Sequence, residues 1–140
     1  MTSTFVSYSR VDSPFVEKLH AALLKIGHPI WLDAKEIGPL VDWLVRIERA
    51  IEEATSFVFV ISPNSLASEI CMHELRHALA HRKRIIALVR HGPSGRPVPD
   101  ELAGTQWIAA GEDDDFDAVL RGLVTALSSS ATASASRRSP

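Results

Sequence analysis

The chain contains a single cysteine, Cys71. That excludes an internal disulfide framework and fits a reducing cytosol, so a cytoplasmic protein is expected. No apolar run approaches the roughly 20 residues needed to span a bilayer. The N-terminus lacks the charged-then-apolar pattern of a signal peptide, and no membrane association is expected. Basic charge is not in surplus either: 15 Lys and Arg stand against 17 Asp and Glu, a net charge of −2. Nothing there drives binding to a phosphate backbone, so nucleic acid is not an expected partner. Neither a Walker A sequence nor a G-x-G-x-x-G follows any apolar strand, which excludes the ordinary mononucleotide and dinucleotide phosphate loops. No internal repeat is present.

What the chain does have is enough apolar residue, 46% over 140 positions, for one domain with a packed core. Thr4 to Tyr8 reads as a first strand. Asp12 or Ser13 is placed to cap the helix that follows, Pro14 suits its first turn, and Phe15, Leu19, Ala22, Leu23 and Ile26 recur at helical spacing before Gly27 ends the run. Pro29 to Asp33 reads as a short second strand and Ala34 to Asp42 as a loop. Trp43, Ile47, Ala50, Ile51 and Ala54 form the stripe of a second helix. Trp31 and Trp43 read as core residues rather than stacking platforms. Phe57 to Ile61 and Ile85 to Val89 are continuous apolar runs, as expected of central parallel strands covered on both faces. His91 to Gly104 reads as a Gly/Pro-rich loop, Gln106 to Ala110 as a last strand, and Phe116 to Leu127 as a final helix. The alternation predicts an α/β domain over residues 1–127, an open five-stranded parallel sheet with helices on both faces. Residues 128–140 read as a Ser/Ala-rich linker or disordered tail that leads to a further domain. In such sheets ligands bind at the carboxyl ends of the strands, here Ser7 to Asp12, Asp33 to Asp42 and Ser62 to Ser68.

A helix starting between Ser65 and Ser68 carries the most informative residue. At about 100° per residue, Ile70, Cys71, Leu75, Ala78 and Leu79 share one face, and Glu74 falls inside that arc. Glu69, Met72, Arg76 and Lys83 point the other way. A carboxylate in an apolar setting is costly unless paired or hydrogen-bonded, which makes Glu74 a candidate functional residue; a boundary residue snorkelling to water is the alternative. His73-Glu74-Leu75-Arg76-His77 also matches the zinc-protease pattern H-E-x-x-H. His81 only continues the same helical stripe, and three ligands along one straight helix cannot close round a small ion. No metal is expected, and the histidines read as a partly exposed row at the helix rim. A receiver-type phosphoryl-accepting aspartate is missing, because Ser62-Pro63-Asn64 follows the third strand. Cys71 has no base on its own helix face and reads as a small buried thiol. Ser7, Tyr8 and Arg10 after the first strand and Asp33 after the second are further candidates, with Tyr8 as sheet-edge cover and Asp33 as a turn former the plainer readings.

Together these residues resemble the Toll/interleukin-1 receptor (TIR) domain family. Phe5-Val6-Ser7-Tyr8-Ser9-Arg10-Val11-Asp12 looks like its first signature box. Trp31-Leu32-Asp33, Ile37-Gly38-Pro39 and Asp42-Trp43 resemble its second strand and BB loop. Phe59 to Ser65 with Ser68, Cys71 and Glu74 resembles the strand and helix holding the glutamate of enzymatic members. The BB loop departs from the family, reading Ile-Gly-Pro-Leu where many relatives read Ile-Pro-Pro-Gly. The resemblance covers residues 4–127 and implies a flavodoxin-like sheet. It also implies one of two functions: cleavage of NAD+ to nicotinamide and linear or cyclic ADP-ribose, or a non-catalytic scaffold recruiting other TIR domains. Under the first, Glu74 is the catalytic residue, and Ser7, Tyr8, Arg10, Asp33, Lys35 and Cys71 line the substrate site. NAD+ is then substrate rather than cofactor. Partners are other TIR domains in a homo-oligomer or filament and a C-terminal sensor domain, in an immune or antiphage defence protein.

Overall fold

Two central strands without a polar face demand cover on both sides, and the architecture supplies it. The computed structural model describes residues 3–28, 30–32, 40–90 and 98–128, with the backbone alone at 31–32 and 40–43. Strands β1 (Thr4–Ser7), β2 (Trp31–Leu32), β3 (Ser56–Ile61), β4 (Arg84–Val89) and β5 (Gln106–Ala109) form one parallel sheet in the order β2-β1-β3-β4-β5. The helices are α1 (Ser13–Lys25), α2 (Leu40–Glu53), α3 (Pro63–Leu66), α4 (Glu69–Ala80) and α5 (Phe116–Ser128). The five parallel strands predicted from the alternation of patterns are therefore present, with β2 at the sheet edge.

Side chains alternate across a strand, and this parity divides the core in two. Val6, Val58, Val60, Ile86 and Leu88 face α1 and α5, meeting Phe15, Val16, Leu19, Leu23, Val119 and Leu123. Phe5, Phe57, Phe59, Ile61, Ile85 and Ala87 face α2 and α4, meeting Ile47, Ile51, Cys71, Leu75 and Ala78. Phe5 and Phe57 are register partners on adjacent strands, and their rings stack at 5.6 Å. Each fully buried large side chain of this kind stabilises the fold by roughly 1.5–3 kcal/mol relative to exposure.

Several local expectations change. Asp12 precedes α1 but makes no side-chain cap; its carboxylate is drawn elsewhere, as described below. The single helix expected after β3 is two, α3 and α4, separated at Ala67–Ser68, because Ser62 caps the first and Ser68 the second. Met72, expected on the solvent side of α4, is half-buried against the core. Within the expected loop after β4, Asp100–Gly104 forms a 3-10 turn whose Leu102 plugs the α2/α4 side of the core. The BB-loop residues 33–39, the segment 91–97 and the tail 129–140 lie outside the described residues, as do the side chains of Trp31 and Trp43.

Helices α1 and α4 end alike. After α1, Gly27 takes φ 78°, with Gly27 N–H on Leu24 O and His28 N–H on Leu23 O, the paired closure of a Schellman turn. After α4, Arg82 N–H bonds Leu79 O and Lys83 N–H bonds Ala78 O, so Arg82 holds φ 57° with a full side chain. A left-handed conformation costs a Cβ-bearing residue about 1–2 kcal/mol. Arg82→Gly is expected to raise stability by about 1 kcal/mol, read as a higher urea midpoint with an unchanged slope.

Candidate active site

Helix α4 begins where the Ser68 hydroxyl accepts from the Cys71 N–H at 3.2 Å, and that start sets the phase of every side chain after it. Cys71, Leu75 and Ala78 enter the apolar cluster beneath. Glu74 enters with them and is 0% exposed, so the snorkelling alternative does not hold. Its Oε1 accepts a 2.6 Å hydrogen bond from the Ser7 hydroxyl, 67 residues earlier at the end of β1, and Oε2 is likewise shielded from solvent. A hydroxyl bond to a carboxylate at that length is of the short, charge-assisted kind. Ser7 can reach because it shares strand parity with Phe5, facing α4 rather than α1.

A second buried polar network stands at the carboxyl end of the neighbouring strand, β3. Ser62, just past β3, donates through Oγ to Asp12 Oδ2 at 2.7 Å while the same oxygen accepts from Ser65 N–H at 3.2 Å. Ser65 Oγ in turn accepts from Ser62 N–H at 3.0 Å. Asp12, Ser62 and Ser65 are all buried. Two carboxylates thus sit inside the protein at the carboxyl ends of neighbouring strands, each gripped by a serine. The sequence pattern does not announce this network: the capping-box spacing of Ser62 and Ser65 is its one local signal, and nothing local points to Asp12.

The other expected site residues divide. Tyr8 has the opposite parity from Ser7 and packs, half-buried, against the α1/α5 cluster, on the far face of the sheet from Glu74. Arg10 is exposed in the 3-10 turn Arg10–Asp12. Cys71 is one turn before Glu74, 2% exposed and within the apolar cluster. Asp33 and Lys35 lie outside the described residues.

The H-E-x-x-H letters come apart in space. Glu74 faces inward, whereas His73 and His77 face α2: His73 Nε2 is 2.8 Å from Glu48 Oε2, and His77 Nε2 is 2.8 Å from Glu52 Oε2. Zinc-protease chemistry needs the glutamate beside the metal-bound water, and here it turns away from both imidazoles. The histidine row at the helix rim is present, though laced to a matching acidic row rather than bare.

With that geometry in place, the relationship to known proteins is direct. A family profile described as the TIR domain matches residues 4–124, and the chain belongs to that family. The fold is similar to the TIR domain of the Toll-related receptor TRR-2 from Hydra magnipapillata, at a TM-score of 0.72 and 21% identity over 90% of this chain and 98% of that one. It is also similar to the RPS4 and RRS1 TIR domain heterodimer, at 0.62 and 16% over 89% and 93%. A third similar structure is the Clostridium botulinum CMP N-glycosidase BcmB, at 0.59 and 17% over 88% and 99%. No curated protein matches the chain in sequence. No helix among the described residues is long and apolar enough to cross a membrane.

The Ser62 hydroxyl is the joint of the second network. Ser62→Ala removes both the donor to a buried carboxylate and the α3 cap, and is expected to cost about 2–3 kcal/mol, measured as a lower urea midpoint.

Proposed function

We propose that this TIR domain is an NAD+ glycohydrolase in which Glu74 is the catalytic carboxylate. The observation that carries the reading is a carboxylate with no solvent exposure, placed at the carboxyl end of the sheet and held by Ser7. Such a group is expensive to bury, and a costly buried carboxylate at a strand end is a candidate for chemistry. The N-glycosidase among the fold neighbours supports the same bond class, cleavage between a base and a sugar carbon.

The chemistry suits one carboxylate. The nicotinamide C–N bond breaks with its electron pair moving to the pyridinium nitrogen, so the leaving group departs neutral and needs no proton. Ordinary glycoside hydrolysis, by contrast, pairs an acid with a second carboxylate. Positive charge grows on the anomeric carbon and is stabilised by the fixed negative charge of Glu74. Water then attacks that carbon and releases its proton to solvent, giving ADP-ribose; attack by the adenine of the same molecule gives the cyclic product instead. No metal or cofactor enters any step.

A ribose can reach Glu74 only if the cover over it opens, because the carboxylate is closed to solvent. This supports activation by self-assembly, in which a neighbouring TIR domain completes the pocket. The segment after residue 128 would then join a sensor that triggers assembly in an immune or antiphage defence protein. The competing reading is a non-catalytic scaffold that pairs with other TIR domains through the BB loop; a heterodimer among the fold neighbours keeps it in play.

Nicotinamide release from NAD+, followed by chromatography with the protein crowded on beads, separates the two. Glu74→Gln is expected to lower the rate by at least ~10²-fold, with an unchanged circular dichroism spectrum and equal or higher thermal stability. Mutant turnover matching wild type would remove Glu74 from the chemistry, and no release from crowded wild type would favour the scaffold. In free solution, activity per molecule is expected to rise steeply from nanomolar to high micromolar protein; a flat profile would count against assembly.

A further inference from the structure

Along α4 alone, His73, His77 and His81 form a row that cannot close on one ion. Helix α2 changes that. Glu52 Oε2 is 2.8 Å from His77 Nε2 and 3.7 Å from His81 Nε2. The two imidazole rings are 4.4 Å apart, and the ligand-capable atoms of all three residues lie within 4.8 Å of one another. A tetrahedral ion with ligands at ~2.0–2.1 Å needs ligand atoms about 3.3 Å apart. The spacing of Glu52 and His81 is already close to this, and that of Glu52 and His77 needs to open by about half an ångström, within reach of side-chain rotation.

One further contact orients a ligand. His81 Nδ1 is 3.0 Å from the His77 carbonyl. A carbonyl only accepts, so Nδ1 carries the proton and donates, which leaves the lone pair of the neutral ring on Nε2, facing Glu52. Metal-bound histidines are characteristically oriented by this kind of backbone contact. Two cations stand nearby: Arg49, a turn earlier on α2, and Lys83, whose ammonium donates to the Glu52 backbone carbonyl at 2.5 Å.

We infer that Glu52, His77 and His81 form a site for a divalent transition-metal ion, zinc foremost, joining the C-terminal ends of α2 and α4. Two imidazoles and one carboxylate are a donor set suited to zinc, and the half-exposed His81 and Glu52 leave a fourth position for water. The site is separate from Glu74, which faces the sheet from another side of α4, and it does not depend on the proposed NAD+ chemistry.

The test uses the full chain without a histidine tag, zinc chloride in a non-coordinating buffer, calorimetric titration and thermal unfolding. Expected are one zinc per chain and a midpoint raised by about 5–10 °C at a hundredfold excess over the dissociation constant, reversed by chelator. His81→Ala and Glu52→Gln are each expected to weaken binding by at least tenfold. His73→Ala, whose partner is Glu48, is expected to bind as wild type does. No zinc-dependent shift in wild type, or undiminished affinity in both His81→Ala and Glu52→Gln, would overturn the site. Spectra of each variant without zinc verify that it is folded.

Discussion

The hydrogen bond from Ser7 to Glu74 is the constraint around which this domain is organised. A carboxyl group beneath a helix is tolerable only where a partner meets it, and the partner comes from the first strand of the sheet, 67 residues away. The bond exists only if β1 lies beneath α4, if Ser7 has the parity of Phe5, and if α4 starts at the phase that Ser68 sets. Sheet order, strand register and helix capping therefore meet at one contact. The same contact holds the carboxylate in one orientation in a dry setting, where electrostatic interactions are stronger than in water.

Strand parity explains much of what surrounds it. The two faces of the sheet are built from alternating residues of the same strands, so neighbours in sequence serve different layers. Ser7 and Tyr8 are adjacent in the chain, yet one meets Glu74 and the other braces the α1/α5 core. Asp12, one turn beyond, is pulled from its capping position by Ser62. The cost of leaving a carboxylate in the interior exceeds the benefit of an ideal helix start.

Helix α4 consequently presents two chemistries on two sides. Inward it offers a carboxylate to the strand ends. Toward α2 it offers a ladder of imidazoles, each within reach of a carboxylate spaced at the same helical interval on the neighbouring helix. The ladder follows from geometry: residues four apart on each helix share a stripe, and two packed helices bring such stripes together. It also shows why a motif of five letters is ambiguous. His73 and Glu74 are adjacent in the pattern but separated by about 100° around the helix.

Sequence alone determined the alternating architecture, the continuous apolar runs of β3 and β4, and the inward phase of Glu74, because these rest on local periodicity that packing must obey. Its three separated boxes also carried the TIR resemblance. The tertiary structure alone decided which groups meet. Ser7 and Glu74, Asp12 and Ser62 at 50 residues' separation, and Glu52 and His77 at 25 are joined by sheet order and helix packing rather than by any local pattern. Periodicity places a side chain on a face of its own element; what stands opposite depends on where the rest of the chain has folded.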